Sequence, residues 1–260
     1  MPFDMIGFLE ATPGTGTVNL AAALGDRLYS SNLDEINLNS DINRLLGVLV
    51  SAVSTGGRAR LRQPGLGIDY SMLKCMLEAD LDPIQGFHDF LETPLPLIPG
   101  TKLEALLTNA TDESALIAAM VGNQALDPRN CQPTHVVTGI SDTTITSLTW
   151  SQCAITWLED LDPGTYAVVG MRCGVFIAAA PLAAVARIIL PGATDWRPGV
   201  PCAQMEADHE EYQSVTHEPW YKWGQMPGIQ FEDTKMPSIE VLSTAAYTDE
   251  NVELLLQKIG

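Results

Sequence analysis

Asp208-His209-Glu210-Glu211, followed by His217-Glu218, gathers ligand-type side chains more densely than any other part of the chain. Imidazoles and carboxylates this close could hold a divalent cation, but a zinc hydrolase places two His around a Glu on one helical face, and the His-Glu-x-x-His spacing is missing. The run reads as a solvated acidic loop, and no metal is expected. Asp160-Leu161-Asp162-Pro163-Gly164 opens like a calcium loop, yet Met171 stands where the closing Glu belongs, so it reads as a turn before a strand. Thr12-Pro13-Gly14-Thr15-Gly16-Thr17 lacks the Gly-Lys-Ser/Thr ending of a phosphate loop and reads as a flexible arm. Gly-x-Ser-x-Gly is absent, and none of the four His residues stands in a nucleophile context. No catalytic residue and no cofactor is therefore expected, and the chain reads as a non-enzyme. Cys75, Cys131, Cys153, Cys173 and Cys202 include no Cys-x-x-Cys pair, which points to buried thiols rather than a zinc module or a disulfide framework.

One group of residues suits binding better than chemistry. Trp220-Tyr221-Lys222-Trp223 packs three aromatics into four positions between Pro219 and Gly224. Such rings can stack on a sugar, anchor a neighbouring subunit, or plug the end of their own domain. Together with Trp196 they are the candidate subunit-interface residues: Trp196, Trp220, Tyr221 and Trp223.

The elements that must position these residues come in two copies. Residues 239–260 resemble 103–122: Ile239, Glu240, Leu242 and Thr244 fall on Leu103, Glu104, Leu106 and Thr108, and Thr248-Asp249-Glu250 falls on Thr111-Asp112-Glu113 after a one-residue gap at the turn. Upstream, Ala59-Arg60-Leu61 before Pro64-Gly65 matches Ala186-Arg187-Ile188 before Pro191-Gly192. Leu45-Leu46-Gly47-Val48 likewise matches Val168-Val169-Gly170-Met171, and Glu92-Thr93 matches Asp233-Thr234. The matched fragments keep one order, which marks a duplication spanning roughly residues 36–122 and 155–260.

Seventeen Pro and twenty-one Gly cut the chain into short segments, and 138–158 is rich in Thr, Ile and Trp. The predicted class is all-β: two tandem antiparallel, jelly-roll-like β-sandwiches at 36–130 and 131–260, after an N-terminal arm or added edge element at 1–35. The alternation in Arg58-Ala59-Arg60-Leu61-Arg62 predicts a strand with one wet face, and the terminal segments of each copy read as hairpins. Minor helix is expected at 71–78 and 41–53, although a strand reading of 45–53 competes with the second. The acid- and aromatic-rich stretches 66–92 and 193–232 read as irregular inserts.

Fourteen basic against thirty-two acidic residues give a formal charge of −18, which repels phosphate backbones and anionic lipid, so direct nucleic-acid binding is not expected. The first twenty residues carry Asp4 and Glu10 without Lys or Arg, unlike a secretory signal, and no apolar run is long enough for a membrane span.

Two similar sandwiches in one chain, with long inserts at matching positions, resemble the double jelly-roll major capsid proteins of tailless icosahedral viruses. The resemblance is one of architecture, rests on the repeat, and covers about residues 36–260; 260 residues is short for that family. It implies a structural protein of the virion whose rolls stand side by side, with homotrimers tiling a shell alongside minor capsid proteins. Three chains would then present six similar edges. Other readings are a subunit of an extracellular fibre or surface layer, and a tandem carbohydrate-binding sandwich stacking sugars on Trp220 and Trp223. Against the latter, the first copy's insert has Phe87 and Phe90 but no Trp. A metal-dependent cupin-type enzyme ranks last, because the four His residues are dispersed.

Overall fold

The computed structural model describes residues 3–12, 14–23, 25–26, 34–52, 58–73, 86–110, 115–123, 132–177, 184–192, 196–206, 221–223 and 230–260. Among them there are strands and turns but no helix. The first half holds β1 (Phe3–Glu10), β2 (Gly16–Asn19), β3 (Ala21–Ala22), β4 (Ile36–Asn37), β5 (Arg44–Ala52), β6 (Arg58–Gln63), β7 (Ile68–Leu73), β8 (Gly86–Asp89), β9 (Leu95–Pro96), β10 (Lys102–Ala110) and β11 (Ala115–Gly122). The second holds β12 (His135–Ser141), β13 (Ser151–Cys153), β14 (Thr156–Trp157), β15 (Thr165–Ile177), β16 (Ala184–Ile189), β17 (Trp196–Arg197), β18 (Gly199–Glu206), β19 (Tyr221–Lys222), β20 (Gln230–Glu232), β21 (Ser238–Ser243) and β22 (Glu250–Lys258).

Strand order makes each half a jelly roll. In the first, one sheet runs β1-β11-β5-β8 and the other β2-β10-β6-β7. Counting only these eight main strands, first pairs with eighth, second with seventh, third with sixth and fourth with fifth, which is the nested wrapping of a jelly roll. The second half repeats it: β12-β22-β15 with β19 and β20 on β15, and β13-β21-β16-β18. Its two sheets fuse at one end, where β15 and β18 pair in parallel from Cys173↔Cys202 to Ile177↔Glu206.

The matched sequence fragments occupy equivalent strands: β5 with β15, β6 with β16, β10 with β21, β11 with β22. Side-chain periodicity explains the faces. In β6, Ala59 and Leu61 point into the roll while Arg58, Arg60 and Arg62 point out. In β11 every residue is buried, because both faces of its sheet are covered, and the segment accordingly reads as a continuous apolar run.

Four expectations are corrected. The described residues of 1–35 form roll strands rather than an arm or added edge element: β1 pairs with β11 along its whole length and is the counterpart of β12, and β2 pairs with β10. The terminal segments are not hairpins, since β10 and β11 (and β21 and β22) lie in opposite sheets and do not pair with each other. Their alternation was real, but each strand turned one face to its own core, and only β11 and β21 had the other face covered by the facing roll. The inserts carry the fifth and sixth strands of each roll (β7, β8, and β18 to β20). Finally, 44–52 is strand β5 and 71–73 the end of β7, so no helix forms at 41–52; residues 53 and 74–78 lie outside the described residues. β-branched and Leu side chains at 45–50 pack between β11 and β8, which overrides any local helical tendency.

Candidate functional site

The two rolls meet face to face. The β1-β11-β5-β8 sheet turns its outer surface, including Phe3, Met5 and Leu9, toward the outer surface of β13-β21-β16-β18, and these residues belong to one cluster with the core of the second roll. Contact is close enough to exclude side chains. A Cβ on Gly7 would lie 2.2 Å from Leu242 Cδ2, and one on Gly199 would lie 2.8 Å from Met5 Cβ and 2.4 Å from the Ala186 carbonyl oxygen. β17, from the second half, pairs in parallel with β1 through Phe3↔Trp196 and Asp4↔Arg197.

At the centre of this seam lies a charge network. Arg187, on the outer face of β16, is 2 % exposed; its Nη1 donates to Asp26 Oδ1 at 2.7 Å and to the Met5 carbonyl at 3.2 Å, and its Nε donates to Glu240 Oε2 at 2.7 Å. The guanidinium lies 3.8 Å over the Trp150 ring. Asp26 is fully buried, and its Oδ2 accepts from Gly7 N and Trp150 Nε1, each at 2.8 Å. Arg197 pairs with Asp4 and stands 3.8 Å from Asp26. Burial pushes the Asp4 carboxyl up to about 6, against the pull of Arg197 and Arg187. Two cations held among three carboxylates in an apolar seam fix the register of one roll on the other.

Trp196 and Trp223 flank this network. Both are buried, with ring centroids 6.4 Å apart and 6.0 and 6.3 Å from Phe3. The expected role in contacts between subunits is thus corrected for these two, because they are consumed in joining roll to roll within one chain. The backbone of Tyr221 pairs with Met171 in β19. Trp220 lies outside the described residues, as do Asp208, His209, Glu210, Glu211, His217 and Glu218. Asp160 to Gly164 form the turn before β15, where the Asp162 carbonyl accepts from Tyr166 Oη at 2.8 Å.

Inside the second roll, Ser141, Cys153, Cys173, Cys202, Tyr247 and Glu250 are all buried. Burial raises the thiols of Cys153 and Cys202 far above the ordinary range, which keeps them protonated and weakly nucleophilic. Burial also pushes the Glu250 carboxyl up to about 7. Among the described residues no group of three or more His, Cys, Asp or Glu is arranged to hold a metal ion.

Sequence reasoning overlooked the seam. Arg187 carried a signal, being a lone cation in the apolar run Ala184-Val185-Ala186-Arg187-Ile188-Ile189, where a buried charge demands partners. Asp26 carried none, since nothing local marks a loop carboxylate as buried. The chain matches no protein-family model, no curated protein and no solved structure.

Proposed function

We propose that the chain is a structural subunit that self-assembles, specifically a major capsid protein whose trimers tile an icosahedral viral shell, and that it is not an enzyme. The observation that carries this reading is the duplicated jelly roll with a face-to-face seam. One sheet of the first roll packs on the opposite sheet of the second, so the contact is head-to-tail, and head-to-tail contacts between like units propagate into rings or filaments. A duplicated chain needs half as many separate chains to close a ring. The acidic balance fits a wall that leaves nucleic acid to other components.

Light scattering with negative-stain electron microscopy on the purified protein tests the reading. Trimers or closed shells are expected. Filaments would transfer the same seam to a fibre subunit, and a monomer at all concentrations would overturn assembly as the function.

A further inference from the structure

The seam within the chain uses one face of each roll, and the other two faces carry related parts that stay partly exposed: Arg62 on one, and Val136, Ile140 and Leu158 on the other. Consider first the face that receives. Across β16 and β21, Arg187 Nε meets Glu240 Oε2 at 2.7 Å; across the equivalent strands β6 and β10, strand register sets Arg62 rather than the sequence-matched Arg60 opposite Glu104, and Arg62 Nε meets Glu104 Oε2, also at 2.7 Å. The pair in the second roll is buried in the seam, whereas the Arg62 side chain is 35 % exposed.

The inserting face is duplicated as closely. β3 pairs with β1 and β14 pairs with β12, so that Ala23 N donates to Gly7 O at 2.8 Å in one roll and Leu158 N donates to Thr138 O at 2.9 Å in the other. A carboxylate then follows each short strand and accepts from that same backbone position. Asp26 Oδ2 takes Gly7 N at 2.8 Å, and Glu159 Oε2 takes Thr138 N at 2.6 Å. Gly7 therefore corresponds to Thr138, Met5 to Val136, Leu9 to Ile140, and Asp26 to Glu159. Asp26, Met5 and Leu9 are buried against the second roll; Val136, Ile140 and Leu158 are 50 %, 43 % and 57 % exposed, and Glu159 is exposed. Of the six exposed large hydrophobics among the described residues, these three lie on or beside β12, and a fourth, Ile259, follows the paired strand β22.

From this correspondence we infer that the β12–β14 face of one copy docks on the β6–β10 face of a second copy, with Glu159 meeting Arg62 as Asp26 meets Arg187. The occupant is another molecule of this chain, because the receiving face it needs is present on the first roll and already has a worked example inside the molecule. The inserting edge brings a carboxylate, and the receiving face presents Arg58, Arg60 and Arg62 on one side of β6 against Asp69, paired with Arg60, and Glu104, paired with Arg62, which leaves one positive charge in excess. Val136 and Ile140 supply the apolar contact that Met5 and Leu9 supply in the seam, and the ionic pair sets register; Thr138 stands where Gly7 lets the seam close on Leu242, so the contact between chains is wider than the seam. The inference rests on the assembly reading above and names its contact.

Charge reversal tests it, with particle mass and chain–chain dissociation as the readout. E159R and R62E are each expected to weaken association at least tenfold, and the double variant E159R/R62E is expected to recover most of that loss. Val136→Asp, at an exposed position, should also weaken association at least tenfold and guards against R62E misfolding through the charge left at Glu104. If the wild type assembles and none of these variants changes its dissociation, the docking inference is overturned while the assembly reading stands. A wild-type chain that never associates overturns both.

Discussion

A guanidinium in an apolar seam is tolerable only while its partners are present. Arg187→Met would leave Asp26 fully buried without its principal cation, and removing one member of a buried ionic network costs about 3–5 kcal/mol. Urea denaturation should show that loss, and Arg187→Met combined with Asp26→Asn should cost less than the sum of the two single changes, because the second removes the orphaned charge. Independent behaviour of the pair would mean that the network does not act as a unit. Glu250 gives a second test, through pH. Its carboxyl is raised from 4.5 to about 7 by burial, so between those values the folded chain keeps a proton that the unfolded chain has released. Stability must then fall as pH rises through that window. Between about pH 5 and about pH 8 the wild type should lose on the order of 2–3 kcal/mol more than Glu250→Gln, measured by denaturation at each pH. Equal pH slopes in the two proteins would show that Glu250 is not held protonated.

At the scale of elements, close approach is what turns two sandwiches into one unit. β18 passes so near β16 and β1 that Gly199 has no room for a Cβ, with the Ala186 carbonyl oxygen at 2.4 Å. Backbone cannot step aside as a side-chain end can, so Gly199→Ala should destabilise by about 1–3 kcal/mol, read from the urea midpoint. An unchanged midpoint would mean that the seam is looser than described. The same strands show what the sequence made legible. β6, β16, β10 and β21 were readable because each fragment recurs in order, and the two-residue alternation of β6 named its wet face correctly. β7, β8 and β20 were not readable because acids and aromatics interrupt their alternation, and β18 because Gly199 and Pro201 read as a loop; the second copy's insert also differs in length from the first. β1 was missed as a roll strand because its counterpart β12 shares no residues with it in sequence; only hydrogen bonding to β11 and β22 reveals their equivalence. The seam residues were opaque for a related reason. Burial between two domains depends on which faces meet, and that information is spread over residues as distant as Asp26 and Arg187.

Across the whole molecule, the seam decides whether the rolls behave as two domains or one. Domains joined by modest polar contacts unfold separately, whereas a large apolar contact couples them. Here the core of the second roll runs without a break into Phe3, Met5, Leu49, Leu116 and Met120 on the outer sheet of the first, and β17 crosses over to extend that sheet. Unfolding either roll would strip the cover from the other and leave Asp26 or Arg187 facing water or a vacated apolar surface. The intermediate with one roll folded is therefore penalised twice, by exposed hydrocarbon and by a broken ionic network. Scanning calorimetry on the unassembled chain should show a single transition whose calorimetric and van't Hoff enthalpies agree. Two resolved transitions would mean that the seam is weaker than the cores it joins. In that case the rolls could also reorient during assembly, and the internal seam would lose its standing as the template for contacts between chains.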